Sequence, residues 1–185
     1  MYALGKWGKP AEGLIFTFEE IDSVPEAAKL LGYGLDFGFT NDPSAFVGAY
    51  QYDQTIILDE EFYRTGLTNP DIANLFRDAG VGQYDDVFAD SSEPKSIEEI
   101  YRHGFNVQGA EKGPDSIMFG INLMKQYRIL VTKRSVNLKK ELRKYVWKKD
   151  KEGKSLNRPI DAFNHAIDAS RYVVTMKMRK GDAEP

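Results

Sequence analysis

One glycine-lined stretch constrains the fold of this chain more than any other. From Gly32 to Thr40, apolar side chains alternate with positions that carry glycine or Asp36. The apolar set is Leu31, Tyr33, Leu35, Phe37 and Phe39. Since successive side chains of a strand point to opposite faces, this pattern predicts one core-facing surface and one surface of nearly bare backbone around Asp36. Glycines inside a strand often mark the close approach of a ligand or of another backbone, the alternative being a solvated aspartate on a bulged strand.

The chain is long enough for one domain with a sizeable core, at 185 residues. No apolar run approaches the ~20 residues of a membrane span, and the N-terminus lacks the apolar stretch of a signal peptide. The absence of cysteine excludes disulfides and thiolate metal sites. We therefore expect a cytosolic protein with no membrane partner.

Charge is distributed very unevenly along the sequence. Residues 1–124 carry 8 Lys and Arg against 21 Asp and Glu, whereas residues 125–158 carry 13 against 3. An acidic body with a basic strip that also contains aromatic residues is typical of a protein that binds a nucleic-acid backbone. A solvated helix face followed by a charged hairpin tip would give the same composition.

The order of predicted elements indicates an α/β fold. Three strands, at 32–40, 45–52 and 55–63, form an antiparallel meander, and helices then alternate with short strands, so that parallel strands extend the sheet. A basic hairpin at 146–156 precedes a last helix predicted from Pro159 to Met178. Residues 1–30, with a possible short strand at 14–18, are interpreted as a connector, residues 31–180 as the domain and 181–185 as a tail.

The last helix presents a polar row beside its packing face. Asp161, His165, Asp168 and Tyr172 follow one another at spacings of four, three and four residues, which aligns them on the helix. The adjacent packing face is predicted to comprise Phe163, Ala166, Ile167, Ser170, Val173 and Val174. Asp161 is interpreted as structural, because an acid in the first helical turn offsets the helix dipole.

Three acids thus form a candidate metal site. Asp36 lies in the glycine-lined strand, Asp90 ends the short apolar strand that begins at Asp86, and Asp168 lies on the last helix. Neighbouring strands lie about 4.8 Å apart, so Asp36 and Asp90 can share a cation if the two strands pair in parallel. Oxygen-only ligation favours magnesium or manganese, and two such ions about 3.5–4 Å apart suit phosphoryl displacement.

Three segments, residues 34–45, 89–97 and 164–172, together resemble the nuclease domain of the large terminase subunit of tailed bacteriophages. The resemblance extends from Gly32 to about Val174. It implies a ribonuclease H-like fold and a metal-dependent endonuclease that cleaves concatemeric double-stranded viral DNA when genome packaging begins and ends. It further implies that Asp36, Asp90 and Asp168 are the catalytic, metal-binding acids, with His165 beside them.

The same resemblance implies partners. A full large subunit carries an ATPase motor before this region, and it works with a small terminase subunit and a portal in the host cytoplasm. This chain contains no G-x-x-x-x-G-K-[ST] phosphate loop, so we interpret it as the nuclease domain separated from its motor. The segments 4–8 and 12–16 resemble the connector between the two.

The mechanism expected from these residues uses two ions. One ion, held by Asp36 and Asp168, activates water, and the other, between Asp36 and Asp90, stabilises the departing 3′-oxygen; His165 orients the water, assists proton transfer or supports Asp168. DNA-backbone contacts are expected from Lys139, Lys140, Arg143, Lys144, Lys148, Lys149, Lys151 and Lys154.

Three alternatives remain open at this point. Resolvases and transposases share the fold and the acids but prefer branched or specific DNA. Residues 36–40 match the D-x-G-x-T phosphate loop of actin-like ATPases and sugar kinases, although the chain is short for their duplicated domain. A DNA-binding or docking module that is inactive without its motor would carry the same basic strip.

Overall fold

The computed structural model describes residues 12–179, and nine strands and five helices lie in that part of the chain. The strands are β1 (Glu19–Ile21), β2 (Lys29–Asp36), β3 (Ser44–Tyr52), β4 (Thr55–Arg64), β5 (Val87–Ala89), β6 (Val107–Gly109), β7 (Arg128–Thr132), β8 (Trp147–Lys149) and β9 (Ser155–Pro159). The helices are α1 (Asn69–Asp78), α2 (Pro94–Arg102), α3 (Ser116–Met124), α4 (Val136–Lys144) and α5 (His165–Met178).

Seven strands form one mixed sheet in the order β1-β7-β4-β3-β2-β5-β6. Strands β2, β3 and β4 pair antiparallel, whereas β5 and β6 extend the sheet in parallel beyond β2, and β7 and β1 extend it in parallel beyond β4. Strands β8 and β9 form a separate antiparallel hairpin directly before α5. The predicted mixed sheet, with a meander followed by parallel strands, is therefore confirmed.

Helices cover both faces of the sheet, and an apolar cluster lies between the sheet and the helices on each face. On one face, residues such as Val47 and Leu58 pack with α3, α4 and α5; on the other, Phe46 and Leu35 pack with α1 and α2. Because consecutive residues of β3 join different clusters, the strand is buried on both sides, as expected for the centre of a three-layer fold.

Strand β2 departs from the predicted alternation at both ends. A register shift against β3 between Leu30 and Gly32 places Leu31 in the α5-side cluster, whereas Tyr33 and Leu35 pack on the opposite side. Phe39 lies beyond the strand and is 66% exposed. The strict two-residue period therefore holds from Gly32 to Phe37, which packs against the same cluster as Tyr33 and Leu35.

The last helix begins later than predicted. Pro159 ends β9, and α5 starts at His165. The helical pattern predicts that Phe163 packs in the core, but its side chain is half-exposed. Its φ of 53° lies outside the right-handed helical region, so α5 cannot extend through this residue. Asp161 therefore lies in the bend before α5, so its assignment to the first helical turn is wrong.

The segment before β2 packs on the domain. Ile15 and Phe16 are buried in the α5-side cluster, and β1 pairs in parallel with β7. Of the predicted strand at 14–18, only a single bridge between Leu14 and Val146 is present. Residues 12–21 thus contribute to the fold, whereas the predicted tail 181–185 and the beginning of the connector lie outside the described residues. No helix between residues 12 and 179 is long and apolar enough to span a bilayer.

Candidate active site

The pairing of β2 with β5 brings two of the predicted acids together. Leu35 lies opposite Ala89, so Asp36 and Asp90, each the next residue, leave the same edge of two neighbouring parallel strands. Their side chains share the α5 face, since Leu35 and Ala89 both point into the other cluster. The predicted juxtaposition of the two carboxylates therefore follows from the register.

Helix α5 approaches this edge closely because β2 carries glycine there. A β-carbon on Gly34 would lie 1.7 Å from the carbonyl oxygen of Ala169, so no other residue fits without displacing the helix. The group that approaches the bare face of β2 at Gly34 is thus the backbone of α5. It sets α5 against β2 and brings His165 and Asp168 to Asp36.

His165 bridges two carboxylates. Its Nδ1 lies 3.2 Å from Asp36 Oδ2, and its Nε2 lies 3.8 Å from Asp42 Oδ1 in the loop after β2. The hydrogen bond to Asp36 outweighs burial and raises the pKa of His165, which favours the imidazolium form. The other oxygen of Asp36 accepts a hydrogen bond from the Tyr172 hydroxyl at 3.4 Å.

The two inner acids are short of positive charge. Burial raises the pKa of Asp36, an effect that the His165 hydrogen bond only partly offsets. Burial also raises the pKa of Asp168 to about 7, although Arg171 Nη2 lies 3.4 Å from Asp168 Oδ1. Carboxylates crowded in this way favour either a proton or an added cation.

Asp90 is already paired with a positively charged side chain. The Lys112 ammonium lies 2.6 Å from Asp90 Oδ1, which also accepts the Ser92 N–H at 2.9 Å. Burial alone would raise the pKa of Asp90, but the hydrogen bonds from Lys112 and Ser92 outweigh it, and the pKa is lowered. Asp90 is therefore held as a carboxylate.

The donor chemistry fits a hard divalent cation. Asp36, Asp90 and Asp168 offer only carboxylate oxygens, which magnesium and manganese prefer. Within residues 12–179, however, no three His, Asp or Glu side chains already converge as a metal site. Binding of an ion by these acids would therefore require their side chains to rearrange.

A cleft of about 870 Å³ opens beside His165. Tyr63, Arg64 and Phe163 contribute to its walls, together with the carboxylates of Asp42 and Asp161. His165, which contacts Asp36, links this cleft to the acid cluster. The Lys144 ammonium lies 4.9 Å from the centre of the Phe163 ring, at the margin of this cleft.

The predicted DNA-contacting residues are mostly surface residues on α4 and the β8–β9 hairpin. Those classed as exposed are Lys140, Lys144, Lys148, Lys149, Lys151 and Lys154, and Arg143 is half-buried with its guanidinium over the Phe18 ring. Lys139 differs, because its ammonium is buried in an ion pair with Glu20 and donates to the Lys133 carbonyl. A buried and paired ammonium is unsuited to contact a phosphate, so Lys139 is removed from the set.

Two residues that contact the candidate acids do not stand out in the sequence pattern. Arg171 lies one turn after Asp168, and this helical spacing is a signal that sequence analysis could have used. Its side chain crosses Gly120 of α3, where a β-carbon would lie 2.5 Å from Arg171 Cγ. Lys112 reaches Asp90 from the loop between β6 and α3, and no local spacing indicates that contact.

The fold and the acid cluster together define a ribonuclease H-like domain with a carboxylate site. The chain belongs to the family described as the terminase RNAseH-like domain, whose model matches residues 36–176. The family predicted from the sequence, that of the nuclease domains of phage large terminase subunits, is therefore confirmed.

Individual relatives agree with that assignment. The chain is 34% identical to the large terminase subunit of Bacillus phage SPP1 over 97% of its own length and 44% of that protein. The crystal structure of the SPP1 large terminase nuclease domain, solved with bound Mn, is 29% identical, with a TM-score of 0.77 over 90% of this chain and 98% of that one. The nuclease of phage G20c, solved with bound magnesium, shares the fold at 17% identity, with a TM-score of 0.63 over 90% of this chain and 98% of that one. The chain thus spans less than half of the curated relative.

Proposed function

We propose that this domain is a metal-dependent endonuclease that cleaves concatemeric double-stranded viral DNA at the start and end of genome packaging. The observation that supports the proposal is the proximity of three acids from separate elements: Asp36 ends β2, Asp90 follows β5 and Asp168 lies on α5, and the charge of Asp36 interacts with both others. Structural packing alone does not require carboxylates there, and burying them raises the pKa of Asp36 and Asp168.

The nature of the cofactor follows from the donors and from the relatives. Mg²⁺ or Mn²⁺, bound as two ions by Asp36, Asp90 and Asp168, would supply an activated water and neutralise charge on the attacking and leaving oxygens. The bound Mn of the SPP1 nuclease domain and the bound magnesium of the G20c nuclease support this assignment. Cleavage would leave 3′-hydroxyl and 5′-phosphate ends.

The protein's own residues would orient the reacting groups. Asp36 is held on both oxygens, by His165 and by Tyr172, so its carboxylate plane is fixed relative to β2. His165 also faces Asp42, and in its protonated form it donates from both nitrogens, which suits orientation of a water or a phosphate oxygen. Lys112 would exchange Asp90 for the approaching DNA phosphate.

DNA would lie across the cleft and along the basic surface, defined here as Lys140, Arg143, Lys144, Lys148, Lys149, Lys151 and Lys154. Support comes from the position of Lys144, whose ammonium contacts the ring of Phe163, two residues before His165. Positive charge therefore begins beside Phe163 in the wall of the cleft and continues into the hairpin. Such a surface binds the backbone without reading sequence.

The partners proposed for the full-length protein are an ATPase motor, the small terminase subunit and the portal, in the host cytoplasm. The relative from SPP1 is more than twice as long as the segment that this chain matches, which leaves room for a motor. In this assembly the motor would deliver DNA to the basic surface.

A covalently closed plasmid tests the proposal, because only an endonuclease can cut it. The purified domain should nick and linearise supercoiled plasmid with Mg²⁺ or Mn²⁺ but not with EDTA, and ligation should show 5′-phosphate ends. A matched four-way junction would identify a resolvase-like preference. Failure to cut any DNA, in spite of salt-sensitive binding, would reject the nuclease proposal for the isolated domain and support a binding module.

A further inference from the structure

We propose that Glu141, a buried acid on the basic helix α4, is the positioning residue that fixes His165 and Asp168 by capping helix α5 from outside. The hydrogen bonds of Glu141 go to the backbone of α5 and to Tyr63, and not to the side chains of His165 and Asp168. The inference deepens the proposed nuclease function and rests on it only for its activity readout, since the capping itself can be measured in the resting protein.

The first turn of α5 lacks a cap of its own. Asn164 occupies the N-cap position but makes no side-chain cap hydrogen bond. Oxygen Oε1 of Glu141 accepts the backbone N–H groups of Ala166 and Ile167 instead, at 2.8 and 3.0 Å. First-turn N–H groups have no partner within a helix, so a distant carboxylate here performs the task that the local side chain leaves undone.

The second oxygen of Glu141 connects the cap to the sheet. Oε2 accepts a hydrogen bond from the Tyr63 hydroxyl on β4 at 2.7 Å. The Tyr63 ring in turn packs edge-on against the His165 ring, with 6.4 Å between centroids. Glu141 therefore acts on His165 by two routes, one through the backbone of α5 and one through the ring of Tyr63.

Burial of this acid is unfavourable unless its oxygens find partners. Glu141 is only 4% exposed, among the apolar side chains of Leu138 and Leu142. A buried carboxylate is tolerated when its hydrogen bonds are satisfied, and both oxygens are engaged here. An apolar residue would pack at this position but would leave two backbone donors of α5 and the Tyr63 hydroxyl unpaired.

The consequence for the site is geometric. The two capped N–H groups lie between His165 and Asp168 in the chain, so Glu141 holds the turn that carries both side chains. Its loss would let this turn fray and would disturb the 3.2 Å approach of His165 to Asp36. Residues that orient metal ligands through a second layer of contacts typically contribute 10- to 100-fold to metal affinity or activity.

Three variants and one control separate positioning from general stability. Glu141→Leu removes both acceptors but keeps bulk, Glu141→Gln retains one carbonyl acceptor, and Tyr63→Phe removes only the second contact. The control, Leu142→Ala, deletes the neighbouring buried side chain of α4 without touching the cap. Each is measured below its own melting temperature, where it is folded.

The first readout needs no enzyme activity. Amide hydrogen exchange of Ala166 and Ile167 should be slow in the wild type and in Leu142→Ala, and at least about 10-fold faster in Glu141→Leu. Affinity for Mn²⁺, measured by calorimetry, should fall roughly 10-fold or more in Glu141→Leu and less in Glu141→Gln. If the wild type failed to cut DNA, these two measurements would still test the capping.

The second readout is kinetic. With Mn²⁺ saturating, Glu141→Leu should lower kcat about 10- to 100-fold while KM for DNA changes little, since the basic surface is intact. Substantial rescue by Glu141→Gln and a smaller loss in Tyr63→Phe are expected. The proposal is overturned if Glu141→Leu matches Leu142→Ala in amide exchange, Mn²⁺ affinity and kcat. Should the leucine variant not fold, unchanged exchange and affinity in both Glu141→Gln and Tyr63→Phe would overturn it.

Discussion

The imidazole of His165 lies 3.2 Å from the carboxylate of Asp36, across 129 residues of sequence. The contact joins the end of the central strand to the first turn of the last helix. It exists because Gly34 lets the backbone of α5 approach β2. Strand β5 brings Asp90 to the same edge. The candidate site is thus a consequence of how three elements meet.

Replacement of Asp36 by Asn should abolish DNA cleavage and leave DNA binding intact. Asn keeps the shape of the side chain but removes the charge that both cation binding and the His165 contact require. Gel-based cleavage and a fluorescence binding isotherm, run on one preparation, measure both effects. Cleavage at the wild-type rate would remove Asp36 from the proposed catalytic set.

Replacement of Lys112 by Ala should strengthen Mn²⁺ binding by about two- to fivefold. The Lys112 ammonium lies 2.6 Å from Asp90 and competes with a metal ion for that carboxylate, but half of its side chain is exposed, so the gain is modest. Calorimetric titration of Mn²⁺ into the apo-domain checks this. Weaker binding in the variant would show that Lys112 supports the metal site instead of competing with it.

Removal of the hairpin lysines should reduce the salt dependence of DNA binding. Alanine at Lys148, Lys149, Lys151 and Lys154 should lower the slope of log affinity against log salt by about 0.9 for each DNA phosphate that is no longer neutralised. Alanine at Lys95 and Arg102, exposed on α2 over the opposite face of the sheet, is the control, compared with the pair Lys151 and Lys154 so that each variant loses two charges. Equal slopes for the two sets would exclude the hairpin from the interface.

Replacement of Gly34 by Ala should destabilise the domain by about 3 kcal/mol or more, because the new β-carbon would lie 1.7 Å from the Ala169 carbonyl oxygen. Gly113→Ala is the control, since a β-carbon there meets open space. Urea unfolding followed by circular dichroism compares them. Similar midpoints would mean that α5 does not pack on β2 as closely as described.

Without metal, the stability of the domain should fall as pH rises from about 5 to 8. Burial raises the pKa of Asp168 from 3.8 to about 7, so the folded state holds this proton more tightly than the unfolded chain. The contribution is fully present below about pH 4 and is lost as pH rises through 7; at most it amounts to roughly 4 kcal/mol. The raised pKa of His165 acts in the same direction.

Thermal melts in EDTA at several pH values, compared between the wild type and Asp168→Asn, measure this effect. The variant should show a shallower decline with pH, since its amide cannot titrate. Added Mn²⁺ should stabilise the wild type more at pH 8 than at pH 5, because ligand carboxylates must lose their protons to bind a metal. If the melting temperatures of the two proteins declined equally with pH, the raised pKa of Asp168 would be contradicted.

Local patterns predict the centre of the fold well. The strand period around Asp36 and the short apolar strand before Asp90 are sufficient to anticipate a parallel pair with both acids at one edge, which the β2–β5 register confirms. The helical spacing of His165, Asp168 and Tyr172 likewise follows from local geometry. These features depend on residues close in sequence and on one strand pairing.

Features that depend on distant contacts are not predictable from sequence in the same way. The start of α5 is set by the positive φ of Phe163 after the hairpin, whereas Pro159 resembles a helix start equally well. The basic pattern of α4 predicts that Lys139 lies on the surface, but the side chain is buried. Its partner, Glu20, lies 119 residues away in the sequence and leaves no local signal. The role of Glu141 is not predictable for the same reason. In the sequence it is a single acid in a basic helix, and its partners lie on β4 and α5.

The Asp90→Ala variant shows whether Asp90 and its neighbours form a metal-dependent nuclease site. Wild type and variant are titrated with Mn²⁺ by calorimetry and then incubated with supercoiled plasmid at the same metal concentration. We expect Mn²⁺ binding and cutting by the wild type, and weakened binding with no cutting by the variant. Cutting by Asp90→Ala at the wild-type rate, or wild-type cutting that persists in EDTA, would contradict it.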